Sequence, residues 1–395
     1  MKKKLLFMCI NMNIGGTEKA LLNMIAEIPK DKYEVTILML ERYGGFLSEI
    51  PECVEIKYLD NYSEIKPMLN EPPQRTIKEL IKKGQIIKAV NIAGAYYTSK
   101  LLKNKSIFFK YILSNYQKLN DEYDLAVAYA GPMDLITYYV LNNINSKKKA
   151  QWIHFDIERI GFDKVFAEKN YKKFNNIFVV SEKGKEKILN KLPNLKDKVE
   201  VFYNIVSKDL VTEMSIRDNG FEDDFNGTRI LTVGRLSKEK GQDLFIAALA
   251  KLKNDGYKVR GYIIGDGPNK NEYQNLINNL GLKDNCILLG AKKNPYPYMK
   301  DCDIYVQPSR HEGYCITLAE ARCFDVPIVT TNFTGASEQV INEETGIITK
   351  IDSEDVYLAI KKLLNNKSLI KNNKFNLVNK TIEKDREIDK LFGLV

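Results

Sequence analysis

Two cations, Arg235 and Lys240, stand five residues apart in Val233-Gly234-Arg235-Leu236-Ser237-Lys238-Glu239-Lys240-Gly241. An apolar run precedes them, so a strand end delivers both into one loop. A diphosphate that departs with its charge needs fixed cations near both phosphates. Arginine makes bidentate contacts there, and lysine acts as a point charge. Taken alone, the pair reads as two solvated surface cations. A second stretch changes that weighting.

That stretch is Gln307-Pro308-Ser309-Arg310-His311-Glu312-Gly313-Tyr314-Cys315-Ile316-Thr317-Leu318-Ala319-Glu320-Ala321. Glu312 lies before a predicted helix start and Glu320 inside the helix, eight residues on. Unpaired N–H groups at a helix start cradle phosphate. A carboxylate deep in such a turn accepts a pair of hydroxyl hydrogens, from a ribose diol or a sugar ring. Without that context Glu320 reads equally as an ordinary surface acid of a helix.

A third turn, Asn13-Ile14-Gly15-Gly16-Thr17-Glu18, joins the first strand to the first helix. Gly15 and Gly16 let backbone approach a ligand closely. The turn is neither G-x-G-x-x-G nor a P-loop, so a plain tight turn and a phosphate or acceptor site both stay open. Asp301-Cys302-Asp303 spells D-x-D, but it precedes a strand, and Arg235 and Lys240 already supply the charge that a metal would. With two histidines, His154 and His311, and no C-x-x-C among six cysteines, no zinc or iron site is expected.

The elements that must position these turns repeat as strand, turn, helix. Lys4–Ile10 is an apolar run, and Leu21, Leu22, Ile25 and Ile28 form a helical stripe after it. The polar stretch 207–228 reads as a connection, after which the alternation restarts at Arg229. Two such runs predict two parallel sheets with helices on both faces, with ligands in the crevice at the carboxyl ends of the strands. The expected organisation is a first domain over 1–206 with a helical insertion at about 61–120, a linker at 207–228, a second domain over 229–375, and a last helix within 376–395.

Composition bounds the rest. The chain has 395 residues, 44% hydrophobic and 28% charged, the balance of a globular protein of about two domains. The six apolar residues after Lys4 are short for a signal-peptide core and read as a strand. Scattered cysteines point to the reducing cytoplasm, and no apolar run is long enough to span a bilayer; peripheral attachment to the inner membrane face is read from a basic segment instead. The net charge is +9, and the segment 75–118 carries ten basic residues against one acid, Glu79. Tyr96, Tyr97, Phe108, Phe109, Tyr111 and Tyr116 lie within it. An anionic membrane surface, a nucleic acid and a solvated helical face all fit that composition.

With the cation turn and the glutamate turn about 75 residues apart, the chain resembles family 4 of the retaining glycosyltransferases. Gly15-Gly16-Thr17-Glu18, Gly265-Asp266-Gly267-Pro268 and Gly335-Ala336-Ser337-Glu338 extend the likeness over nearly the whole chain. The resemblance implies an α/β GT-B fold, two Rossmann-like doubly wound domains facing a central cleft. It implies that Arg235 and Lys240 hold the donor diphosphate, that Glu312 contacts the transferred sugar and that Glu320 binds the ribose hydroxyls. Backbone at Gly313, Tyr314, Cys315, Ile316 and Thr317 adds phosphate contacts, with Gly234 and Gly265 lining the same site. Gly16 lets the first-domain loop close on the donor, Gly15 beside it belongs to the same donor-binding turn, and His154 matches a family histidine near the sugar. Cys315 and Asp325 stand where relatives often have glycine; cysteine is small, and aspartate tolerates a left-handed backbone.

The activity implied is transfer of a sugar, with retention, from a nucleotide diphosphate sugar to a hydroxyl acceptor. UDP is the preferred nucleotide because it is frequent in that family. The implied acceptor is a lipid-linked glycan of cell-surface polysaccharide synthesis, such as capsule or lipopolysaccharide, and no metal or cofactor is required. A GDP-mannose-type donor, a nucleotide-sugar epimerase of the same fold and a non-catalytic partner subunit are the alternatives. A nucleic-acid binder accounts for the basic segment but not for the paired glutamates.

Overall fold

A computed structural model describes residues 2–114, 116, 119–131, 133–158, 161–366 and 384–395. The first lobe holds seven parallel strands: β1 (Lys3–Cys9), β2 (Tyr33–Met39), β3 (Glu55–Tyr58), β4 (Leu119–Gly131), β5 (Ile144–Ile153), β6 (Asn176–Val179) and β7 (Val199–Val201). Their order is β3-β2-β1-β4-β5-β6-β7. The second lobe holds β8 (Thr228–Val233), β9 (Val259–Ile264), β10 (Cys286–Gly290), β11 (Ile304–Gln307), β12 (Ile328–Thr331) and β13 (Ile347–Thr349), in the order β10-β9-β8-β11-β12-β13. Central strands are apolar on both faces, as in Leu5 to Met8 of β1, because helices cover both sides of each sheet.

Strand order reverses between β1 and β4 and again between β8 and β11. At such switch points neighbouring connections leave in opposite directions and open a crevice. The glycine turn follows β1, the cation turn follows β8 and the glutamate turn follows β11, so the topology places all three at crevices.

Four helices, Tyr62–Asn70, Pro73–Lys82, Ile86–Leu101 and Lys105–Ile112, fill the expected insertion between β3 and β4. Residues 207–228 differ from a free connection. They contain the helix Lys208–Met214, whose Val211 is buried in the second-lobe core with Leu231 and Tyr305. Asp223 accepts hydrogen bonds from Arg229 (2.8 Å), Arg260 (3.0 Å) and Tyr262 (2.5 Å). The segment's charges and apolar residues thus have partners on β8 and β9, which makes it an edge of the second lobe. Asp352 caps the helix Ser353–Asn365 by accepting from the Glu354 N–H at 2.7 Å.

The helix Lys384–Phe392 packs on the first lobe, with Ile388 and Leu391 in its core. The Tyr203 N–H donates to Glu387 (2.8 Å), Lys390 donates to the Val201 carbonyl (2.8 Å), and Phe392 stacks on Tyr33 at 4.5 Å. The expected span 376–395 otherwise falls on residues outside the described ones up to 383.

Candidate active site

The lobes meet around the glutamate turn. A Cβ at Gly313 would lie 2.2 Å from the His154 carbonyl, so only glycine lets that turn rest on the end of β5. Tyr314 and Ala319 share a buried cluster with first-lobe residues such as Trp152 and Val180. Across the same seam the Glu338 carboxylate accepts from the Glu182 N–H (3.0 Å) and the Lys183 N–H (3.4 Å), at the N-terminus of the helix Glu182–Lys191. That end carries partial positive charge, which suits an anion. Asp156 pairs with Lys187 at 2.5 Å and accepts from the Thr334 hydroxyl at 3.4 Å.

The cation turn and the glutamate turn are joined directly. Lys240 Nζ lies 2.5 Å from Glu312 Oε1, which also accepts from Ser309 Oγ at 2.8 Å. Behind it Gln307 Nε2 donates to Ser309 Oγ (2.8 Å), while Tyr305 OH (2.8 Å) and Thr317 Oγ1 (3.1 Å) donate to Gln307 Oε1. This buried chain locks the glutamate rotamer. Burial works against the Lys240 charge, but Glu312 beside it prevails, and the ammonium titrates above an ordinary lysine. Arg235 is exposed and makes no ion pair among the described residues. Its loop is pinned by Gln242 Nε2, which donates to the Arg235 carbonyl at 2.9 Å. Gly234 and Gly265 face each other: at φ 148° a Cβ on Gly265 would meet the Gly234 carbonyl at 2.0 Å.

Glu320 is only 3% exposed, so it is no surface acid. Tyr296 OH donates to its Oε1 at 2.7 Å. Burial raises its pKa, and Lys19 and the Tyr296 hydroxyl pull the other way. Lys19 comes from the first-lobe helix Gly16–Ala26, with its ammonium 5.1 Å from the Tyr296 ring centre. Gly16 faces Ile316 of the second lobe, where an added Cβ would make an ordinary 3.5 Å contact. Next to it, a Cβ on Gly15 would crowd the Glu18 carboxylate at 2.5 Å. Burial pushes Glu18 up to about 6.

His154 is buried against Tyr129 (ring centres 4.4 Å apart) and Trp152. Burial drives its pKa down to about 3, against a hydrogen bond to the Tyr129 backbone, so the ring is neutral near pH 7. Its Nε2 has no hydrogen-bond partner among the described residues. Cys315, at φ 71°, caps the helix Ile316–Ala321, and burial raises its thiol. The left-handed backbone there is one glycine adopts freely. Asp325 shows no positive φ, so the tolerance expected of it is not used. Arg310 is held by Asp243 through two bonds (2.7 and 2.6 Å), and the His311 N–H donates to the Glu239 carbonyl at 3.2 Å.

The structure brings Lys240 and Glu312 together and buries Glu320 and His154 at the seam. Sequence reasoning missed Lys19, Ser309 and Tyr296 as neighbours of these groups. Only Ser309 had a signal, its place three residues before Glu312 in a strand-end turn. A cavity of about 910 Å³ lies elsewhere, between the insertion and β2–β3, lined by Leu38, Tyr58, Ile65, Met68, Ile92 and Tyr111. Among the described residues no group of three or more His, Cys, Asp or Glu is placed to hold a metal ion.

Residues 215–383 match the family model described as glycosyl transferases group 1. This range covers the cation turn, the glutamate turn and Glu320. The chain carries a group 1 glycosyltransferase domain. Over 379 residues the transferase is 26% identical to a Campylobacter jejuni N-acetylgalactosamine-N,N'-diacetylbacillosaminyl-diphospho-undecaprenol 4-alpha-N-acetylgalactosaminyltransferase, covering 93% of this chain and 92% of that one. It is 33% identical over 143 residues to the Staphylococcus aureus capsular polysaccharide biosynthesis glycosyltransferase CapM, 35% of this chain and 37% of that one. Among solved structures, Staphylococcus aureus TarM, in complex with fondaparinux, alpha-GlcNAc-glycerol and UDP, aligns with a TM-score of 0.70 at 16% identity, over 99% of each chain. Anabaena HepE in complex with UDP aligns with a TM-score of 0.65 at 17% identity, over 99% of this chain and 98% of that one. The fold of the transferase is GT-B. No helix among the described residues is long and apolar enough to cross a membrane.

Proposed function

We propose that this glycosyltransferase moves a sugar from a UDP-sugar to a hydroxyl of a lipid-linked glycan, with retention of anomeric configuration. The observation that carries the reading is the 2.5 Å contact between Lys240 and Glu312. It sets the cation of one strand-end turn against the carboxylate of another, so one group faces departing phosphate and its neighbour faces sugar hydroxyls. In this reading the donor diphosphate draws Lys240 partly off Glu312 and recruits exposed Arg235. Two fixed cations and the N–H groups of Tyr314 to Thr317 then take up the developing negative charge, the role a metal fills elsewhere. Glu320 accepts from the ribose hydroxyls, and the partnerless His154 Nε2 accepts from or donates to the bound sugar. Attack comes from the face the diphosphate leaves, and a leaving phosphate oxygen takes the acceptor proton.

UDP-bound TarM and HepE and the C. jejuni relative, whose name specifies a diphospho-undecaprenol acceptor, support the donor and acceptor classes. The first test is thermal melting with UDP, GDP and ADP. A ligand at about 100 times its Kd adds roughly 2.7 kcal/mol to the state that binds it. Stabilisation by UDP alone is the expected result. Stabilisation by GDP alone transfers the reading to a mannose-type donor. No response to any nucleotide overturns it in favour of a non-catalytic subunit. Turnover of a UDP-sugar with EDTA present, and the anomeric configuration of the product by NMR, test metal independence and retention. Interconversion of free UDP-sugars without an acceptor marks an epimerase.

A further inference from the structure

We infer that the solvent-facing side of the helix Ile86–Leu101 is a docking surface for an anionic lipid bilayer. Its core-facing side is accounted for by Ala89, Ile92 and Ser99, which are buried. The opposite side carries Ile86, Ile87, Val90, Tyr97 and Leu101, all exposed, with Ile87 at 79% and Leu101 at 82%. At 3.6 residues per turn these five fall within an arc of about 100°. Gly94 lies in the same arc, and a Cβ there would meet nothing. A helix apolar on both sides belongs in a core or against a partner. Ile81 and Leu102 extend the exposed apolar surface at either end of this helix. Solvent-exposed apolar patches of this kind mark interaction sites.

The charges around the stripe identify the occupant. Within 75–118, Arg75, Lys88 and Lys105 have acidic partners. Lys78, Lys82, Lys83, Lys100, Lys103 and Lys110 are exposed and make no ion pair among the described residues. Lys82 and Lys83 precede the stripe, and Lys100 and Lys103 bracket its end. A cationic border around exposed aliphatic side chains suits lipid headgroups at the rim and acyl chains beneath. A second copy of this chain is disfavoured, because a two-fold contact would oppose two segments of like charge. Nucleic acid uses the lysines but leaves the isoleucines and Leu101 without a partner. The choice of occupant rests on the lipid-linked acceptor reading, since a bilayer is where such an acceptor is presented.

The test is flotation of the full chain with vesicles of phosphatidylcholine, alone or mixed with phosphatidylglycerol. The unaltered protein is expected to float with the anionic vesicles and to release as salt rises. An Ile87→Ser, Val90→Ser, Leu101→Ser variant, altered only at exposed positions, is expected to lose partitioning at least about tenfold. A Lys82→Gln, Lys83→Gln variant is expected to lose about fivefold per lysine. Failure of the unaltered protein to float, or equal flotation of the serine variant, overturns the inference. So does a dimer that the serine variant converts to monomer without any change in flotation. Melting shifts with UDP on the same samples separate the two readings. A protein that responds to UDP but does not float overturns docking alone. One that floats but responds to no nucleotide overturns the donor reading alone.

Discussion

Gly313 and His154 belong to different lobes, yet a Cβ on the first would lie 2.2 Å from the carbonyl of the second. The seam is therefore set by backbone against backbone at the point where the glutamate turn meets the end of β5. Gly313→Ala is expected to push the lobes apart, at a cost of about 1–3 kcal/mol. Small-angle scattering should show a larger radius of gyration and assays a loss of turnover. An unchanged radius with full activity would show that the seam relaxes around a methyl group.

Arg235 and Lys240 should separate in their effects. Arg235→Ala removes an exposed cation and should leave stability within about 0.5 kcal/mol, while turnover falls roughly 10²–10³-fold. Lys240→Met should lower turnover as much and also destabilise by about 1–3 kcal/mol, because it leaves the shielded Glu312 carboxylate without its ion-pair partner. Urea melts beside steady-state rates check both. Near-normal turnover in either variant would sink the diphosphate assignment.

Glu320→Gln keeps an oxygen for the Tyr296 hydroxyl and removes a buried charge. Stability should hold or rise, while UDP affinity by calorimetry falls about tenfold, or roughly 1.4 kcal/mol. Unchanged affinity would make the residue a packing group.

His154 gives stability a defined pH dependence. Its native pKa of about 3 lies below the ordinary 6.5, so under acid the unfolded chain binds a proton that the native protein refuses. Stability from this group is full above about pH 6.5 and declines as pH falls, by up to roughly 1.4 kcal/mol per unit. Glu18 acts oppositely: raised from 4.5 to about 6, it stabilises below pH 4.5 and loses that contribution as pH rises through 6. The histidine shift is larger and should dominate. His154→Gln should therefore lose about 2 kcal/mol less than the parent protein between pH 7 and pH 5. Equal losses in urea midpoints would contradict the buried neutral ring.

The two-sheet architecture was legible because strands buried on both faces read as continuous apolar runs. Lys4–Ile10 reads as an apolar run, and the strand it forms is Lys3–Cys9. The first half of β5, Asn145-Ser146-Lys147-Lys148-Lys149, was not expected in a strand, because its lysines are paid off only across the sheet, as Lys147 by Asp124 at 2.9 Å. The cation and glutamate turns were legible from residue type and spacing. Their direct contact was not, since it joins positions 72 residues apart. The proximity of Lys19 to Tyr296 and Glu320 was beyond reach for the same reason: it depends on how the lobes close, and no local periodicity encodes that.

The return of the helix Lys384–Phe392 to the first lobe has a consequence for biosynthesis. The strands of that lobe emerge from the ribosome early, but Ile388 and Leu391, which complete one of its cores, are translated after the whole second lobe. The first lobe is thus discontinuous in sequence. Until its last helix arrives, it must wait with an apolar face uncovered, the state in which nascent multidomain chains aggregate or recruit chaperones. Vectorial synthesis therefore completes the second lobe before the first, although the first begins earlier.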